Sequence, residues 1–112
     1  MKHRYCLVIV LVTGIAGVAW PQAPGVVRAT SFVLLDDQGR DRAKLEMGLG
    51  GPWLWLMDEN GRGRILLTVD KDGSKLTLLD ENGKIRIGLA VDKYSPGLIL
   101  LDENGKTIWS AP

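Results

Sequence analysis

Two tryptophans, Trp53 and Trp55, lie two positions apart in the segment Pro52-Trp53-Leu54-Trp55-Leu56-Met57, and two arginines, Arg64 and Arg86, follow at a mutual spacing of 22 residues. In an extended chain alternate side chains share one face. The two indoles would then stand side by side, able to stack on sugar rings or to anchor a protein, with guanidinium groups alongside as hydrogen-bond donors. Packing of the same rings against Leu66 and Thr68 on the next strand is the competing use of that face. Trp53, Trp55, Arg64 and Arg86 are the candidate binding residues.

Other reactive groups are scarce. Of 112 residues the one histidine is His3 and the one cysteine is Cys6. Everything downstream lacks imidazole, thiol and disulfide, which removes the usual acid-base, nucleophilic and zinc-binding side chains. Carboxylates do recur in pairs, as in Asp58-Glu59, but in polar turn sequence, where no perturbation of the kind a glycosidase needs is expected. Asp70-Lys71-Asp72-Gly73 resembles part of a calcium loop, yet Thr68 stands where an earlier acid is needed and no glutamate follows before Glu81. Asp58, Asp80 and Asp102 would sit two strands apart per step, roughly 9–10 Å, beyond shared ligation. No glycine-rich phosphate loop joins a strand to a helix. These absences predict a protein with no catalytic residues, no metal and no cofactor.

The elements that would position the tryptophans and arginines come from a repeat. Asp36-Asp37-Gln38-Gly39-Arg40 returns as Asp58-Glu59-Asn60-Gly61-Arg62, as Asp80-Glu81-Asn82-Gly83-Lys84 and as Asp102-Glu103-Asn104-Gly105-Lys106, 22 residues apart each time. An apolar run precedes each, such as Leu76-Thr77-Leu78-Leu79, and an alternating run follows, such as Arg86-Ile87-Gly88-Leu89-Ala90-Val91. Asn-Gly between two apolar runs predicts a type I′ hairpin with a two-residue loop. That register sets Leu56 opposite Ile65, Leu54 opposite Leu67, Leu78 opposite Ile87, Leu76 opposite Leu89, Phe32 opposite Leu45 and Leu100 opposite Trp109. A slip of one residue would set Leu56 against Arg64 and Leu78 against Arg86. The same register predicts four acid-base pairs beside the turns: Asp37–Arg40, Glu59–Arg62, Glu81–Lys84 and Glu103–Lys106. Between hairpins, Gly50-Gly51-Pro52, Asp72-Gly73 and Ser95-Pro96-Gly97 supply turn chemistry, with Asp72-Gly73 bringing Val69 opposite Leu76.

The fold class predicted is all-β: an antiparallel up-and-down meander of about eight short strands, from four 22-residue hairpin repeats, over residues 31–112. One face collects Phe32, Leu34, Ala43, Leu45, Met47, Leu54, Leu56, Ile65, Leu67, Val69, Leu76, Leu78, Ile87, Leu89, Val91, Leu98, Leu100 and Trp109. Burying one Leu or Ile is worth roughly 1.5–3 kcal/mol, so this face must be covered. A small barrel, a curled sheet folded on itself and an oligomer packed face to face would each do so, and a β-solenoid is the remaining alternative. The opposite face mixes Arg42, Arg64 and Arg86 with Val33, Trp53, Trp55, Leu66 and Ile99, more apolar surface than a solitary domain usually shows.

Residues 1–20 read as an address. Lys2, His3 and Arg4 precede an uncharged stretch from Cys6 to Trp20, the pattern of a secretory signal peptide or an N-terminal membrane anchor in a hydrophobic helix. Gly17-Val18-Ala19 offers a cleavage site. Tyr5 and Trp20 bracket the stretch as interfacial aromatics would, although its 15 residues span only about 22 Å of a roughly 30 Å hydrocarbon layer. Residues 21–30 form a linker. The predicted location is exported, periplasmic or extracellular, with an inner-membrane tether through residues 6–20 if that segment is retained. Loss of Lys2 and Arg4 takes the basic count from 14 to 12 against 13 acidic residues, leaving no basic field for nucleic acid.

The segment Val27-Arg28-Ala29-Thr30-Ser31-Phe32-Val33-Leu34-Leu35-Asp36, with Gly39 and Arg42-Ala43 after it, resembles a loosely defined group of bacterial exported or membrane-anchored proteins. They carry an N-terminal hydrophobic segment and repeats of the form F-x-L-x-D-x-x-G-x-x-R-A-x-L. Ile65, Ile87 and Trp109 depart from the small residue at Ala43. The resemblance implies the hairpin-repeat architecture and carries over no activity, cofactor or catalytic residue. The expected function is a non-enzymatic structural or assembly module of the bacterial cell envelope, self-associating or binding another envelope protein through its repeated sheet. The alternative is a small carbohydrate- or peptidoglycan-binding domain using Trp53 and Trp55 beside Arg64 and Arg86.

Overall fold

Alternation of apolar and polar side chains, punctuated by the Asp-x-x-Gly turns, produces a chain of hairpins. The computed structural model describes residues 25–112; the segment read as signal or anchor and the first part of the linker lie outside them. Eight strands follow in order: β1 (Ser31–Leu35), β2 (Asp41–Met47), β3 (Pro52–Met57), β4 (Gly63–Asp70), β5 (Gly73–Leu79), β6 (Ile85–Asp92), β7 (Pro96–Leu101) and β8 (Thr107–Ala111). All neighbours are antiparallel, and sheet order equals chain order from β1 to β8. Among the described residues no helix is long and apolar enough to cross a membrane.

Every hairpin pairing expected from the alternation is present, from Phe32↔Leu45 to Leu100↔Trp109. Cross-strand partners share a face, so the pairings define rows that run across the sheet. One row is Leu34, Ala43, Leu56, Ile65, Leu78, Ile87, Leu100 and Trp109; the next is Phe32, Leu45, Leu54, Leu67, Leu76, Leu89, Leu98 and Ala111. A third, incomplete row holds Met47, Pro52, Val69, Ser74, Val91 and Pro96. Ser74 is the only polar side chain in the three rows. The opposite face carries Val33, Lys44, Trp55, Leu66, Thr77, Gly88, Ile99 and Ser110 in one row, and Ser31, Glu46, Trp53, Thr68, Lys75, Ala90 and Gly97 in the next.

The turns differ from the type I′ expectation. In the second hairpin the Asp58 amide donates to the Arg62 carbonyl at 2.9 Å and the Gly61 amide to the Asp58 carbonyl at 3.1 Å. The loop therefore has three residues, Glu59, Asn60 and Gly61, with Gly61 at φ +79°, a conformation that suits glycine. This is a type I turn followed by a left-handed residue. An odd loop would invert the faces of one strand, and a β-bulge restores them: Met57 pairs with Gly63 but Leu56 with Ile65, so Arg64 is the extra residue. The other hairpins repeat the device, leaving Arg42, Arg86 and Ile108 in that place. The residue facing Arg62 is thus Asp58, not Glu59. None of the four expected acid-base pairs forms an ion pair; Arg40 instead bonds Asp36 at 2.8 Å. The link between β4 and β5 is a two-residue turn as expected, but over Lys71-Asp72 rather than Asp72-Gly73, with Asp70 paired to Gly73 and Val69 to Ser74 rather than Leu76. The shift is of two residues, so every side chain keeps its predicted face.

The sheet is curled but does not close. Strands β1 and β8 do not pair, and only consecutive strands contact one another, which excludes the barrel and the solenoid for the described residues. One consequence is that the described residues include no buried side chain, apolar or polar. On the apolar face, exposure runs as high as 63% for Leu34 and 64% for Met47. A single sheet has no second layer to supply a core.

Candidate functional site

Trp53 and Trp55 lie on strand β3, on the mixed face, where the alternation expects them. Trp55 pairs with Lys44 on one side and Leu66 on the other; Trp53 pairs with Glu46 and Thr68. Their ring centroids are 5.8 Å apart and their planes meet at 87°, an edge-to-face arrangement. Both rings are half-buried, and each lies over a glycine. A Cβ on Gly63 would overlap Cζ3 and Cε3 of Trp55, and one on Gly48 would fall 2.9 Å from Trp53 Nε1. The indoles are seated against the sheet and against each other, and their perpendicular planes offer no common flat surface.

Arg64 and Arg86 are the bulged residues of their hairpins. The bulge aims each guanidinium at the neighbouring hairpin. Arg64 Nε donates to the Leu79 carbonyl at 3.0 Å, and Arg86 Nε to the Leu101 carbonyl at 2.9 Å. Arg42 does the same toward the Met57 carbonyl at 3.2 Å. Each Nη1 also lies 3.5–3.6 Å from the aspartate that opens its own turn: Asp36 for Arg42, Asp58 for Arg64 and Asp80 for Arg86. One arginine therefore ties its own turn to the next hairpin. Closer to the turns, Arg62 Nη1 reaches the Glu81 carbonyl at 2.6 Å and Lys84 Nζ the Glu103 carbonyl at 2.8 Å. In the fourth hairpin Ile108 occupies the bulge, and it has no donor to give.

The turn aspartates are acceptors. Asp58 Oδ1 takes hydrogen bonds from the Asn60 and Arg62 amides at 2.9 and 3.0 Å, and Asp36, Asp80 and Asp102 repeat the pattern. In the links, Asp70 accepts from the Asp72 and Gly73 amides, and Asp92 from Tyr94 and Ser95. The amide bonds hold the carboxyls of Asp36, Asp58, Asp70, Asp80 and Asp92 below the usual aspartate range, against a smaller opposing effect of desolvation. Among the described residues no three His, Cys, Asp or Glu side chains converge to hold a metal ion.

Among the described residues the sheet is concave on both faces. An open groove of about 500 Å³ on the apolar face is walled by Leu45, Leu54, Leu67, Leu76 and Leu89. Another, of about 520 Å³, opens on the mixed face over Thr77, Gly88, Ala90, Gly97 and Ser110. Trp53, Trp55, Arg64 and Arg86 share a face, as expected. The structure adds the glycine seats, the bulges and the part played by Arg42. A signal for the first was present: in the 22-residue alignment Gly63 falls in the column of Asp41, Ile85 and Thr107, and Trp55 in that of Val33, Thr77 and Ile99. The bulkiest residue of one column thus sits against the smallest residue of the other. No protein-family model and no curated protein matches the chain.

Proposed function

We propose that the chain is a non-enzymatic structural or assembly module of the bacterial cell envelope, exported and working through its repeated β-sheet on itself or on another protein. One observation carries this: three rows of apolar side chains, interrupted only by Ser74, cover one face of a single-layer sheet that buries no described residue. Apolar surface of that extent is stable in water only when something covers it. Export is supported by the charged start at Lys2, His3 and Arg4 and the uncharged stretch from Cys6 to Trp20.

A carbohydrate-binding role for Trp53 and Trp55 draws less support, because perpendicular rings packed against Gly48 and Gly63 share no common plane on which a sugar ring could stack. Arg64 and Arg86, the other members of that candidate site, are engaged with backbone carbonyls. Light scattering from the purified full chain across a dilution series, with the detergent contribution subtracted, tests the assembly role. The expected mass is above that of one chain at micromolar concentration. A single-chain mass at every concentration, with no co-purifying protein, would overturn it.

A further inference from the structure

Beyond assembly in general, we infer that the partner is a second copy of this chain, and that two copies pack apolar face on apolar face as a two-layer β-sandwich. The inference rests on the assembly role proposed above and names its surface and its occupant.

The two faces are unequal. The mixed face carries Lys44, Glu46, Lys75 and the three bulge arginines, and water suits it. The apolar face holds no charged side chain in any of its three rows, so its partner must be apolar over the same extent. Eight strands at about 4.8 Å and three rows at about 6.8 Å, less the two places missing from the third row, give a face of roughly 700 Å². Two such faces bury about 1,400 Å², within the 1,200–2,000 Å² typical of stable specific interfaces. A face of matching size, shape and composition is present in every other copy of the chain. Its rim does not oppose self-pairing, because Lys71 stands beside Asp72 at one end and Arg40 beside Asp36 at the other. Sheets of like twist pack about 10 Å apart with strands nearly aligned.

Symmetry makes the arrangement testable at one place. Two face-to-face copies are related by a two-fold axis lying between the sheets, either along the strands or across them. In both cases the middle of the middle row meets itself. Leu67 on β4 and Leu76 on β5, paired with each other in that row, come to lie over Leu67 or Leu76 of the second copy. Thr68 and Lys75, the next residues along the same strands, point the other way.

The experiment is crosslinking in intact bacteria producing the tagged full chain with Cys6→Ser, using a membrane-permeant bis-maleimide of about 10 Å span. Leu67→Cys and Leu76→Cys should each give a band at twice the chain mass, at least tenfold stronger than Thr68→Cys or Lys75→Cys. Having two positions on each face keeps the comparison sound if one variant folds poorly. Equal crosslinking from both faces would overturn the sandwich and leave the assembly role standing. So would products containing only a different protein. No crosslink from any position, together with a single-chain mass in solution, would overturn both.

Discussion

Gly63 shows how much one missing methyl group decides. Trp55 lies where a Cβ at position 63 would be, so the ring can cover the backbone of β4 only because the neighbouring side chain is a hydrogen. Gly63→Ala is therefore expected to push the indole off its seat and cost about 1–3 kcal/mol, the usual range for overpacking. Gly97 on the same face provides the comparison, since a Cβ there meets nothing closer than the Ala111 carbonyl at 3.8 Å. Denaturant midpoints of the two variants should separate clearly, with a red-shifted tryptophan emission in Gly63→Ala alone. Equal midpoints would show that the ring moves at no cost. The positions of Trp53 and Trp55 on one face were legible from their spacing, because alternation alone fixes which side a strand residue takes. Their perpendicular orientation was not, since it depends on which neighbours leave room.

At the level of the hairpin, the face of every apolar residue was legible and the turn was not. Asn-Gly suggested a two-residue loop, yet Asp58 four residues before Arg62 and Gly61 three residues after Asp58 equally describe a type I turn closed by a left-handed glycine. The two routes give the same register beyond Leu56 because the bulge at Arg64 absorbs the extra loop residue. Hydrophobic pattern constrains parity, and parity is blind to a loop and a bulge that cancel. The aspartate at the start of each turn now carries a prediction. In Asp36, Asp58, Asp70, Asp80 and Asp92 the folded pKa is lowered, first of all by amide hydrogen bonds. The unfolded chain takes up protons before the folded one, so this stabilisation is complete above the ordinary aspartate pKa of about 3.9 and is lost as pH falls through the lower folded values. The melting temperature should hold between pH 7 and 5 and decline below pH 4. Asp58→Asn, which keeps an acceptor oxygen but cannot titrate there, should soften that decline; a melting curve unmoved down to pH 2.5 would refute the role given to these carboxylates.

For the molecule as a whole, alternation and repeat length made the meander legible, but closure depends on the accumulated twist and curl of eight strands, which no residue pattern records. The apolar rows demand a cover without saying whether it comes from the same chain. The open sheet shows that, among the described residues, it does not. Sheet order identical to chain order also has a mechanical meaning. No strand is locked between two that are distant in sequence, so tension applied between Ser31 and Ala111 loads the hydrogen bonds of one ladder at a time, as in opening a zipper. The sheet should yield at low force, in steps of about 75 Å for each 22-residue repeat at roughly 3.4 Å per residue. Peeling should begin most readily at β8, the strand whose bulge carries Ile108 in place of the arginine found in the other three hairpins. Optical-tweezer traces showing one abrupt high-force rupture instead would mean that the rows of different hairpins hold together under load. The material property implied is compliance: a module of this construction lengthens under strain repeat by repeat and can re-form in the same order when the strain is released.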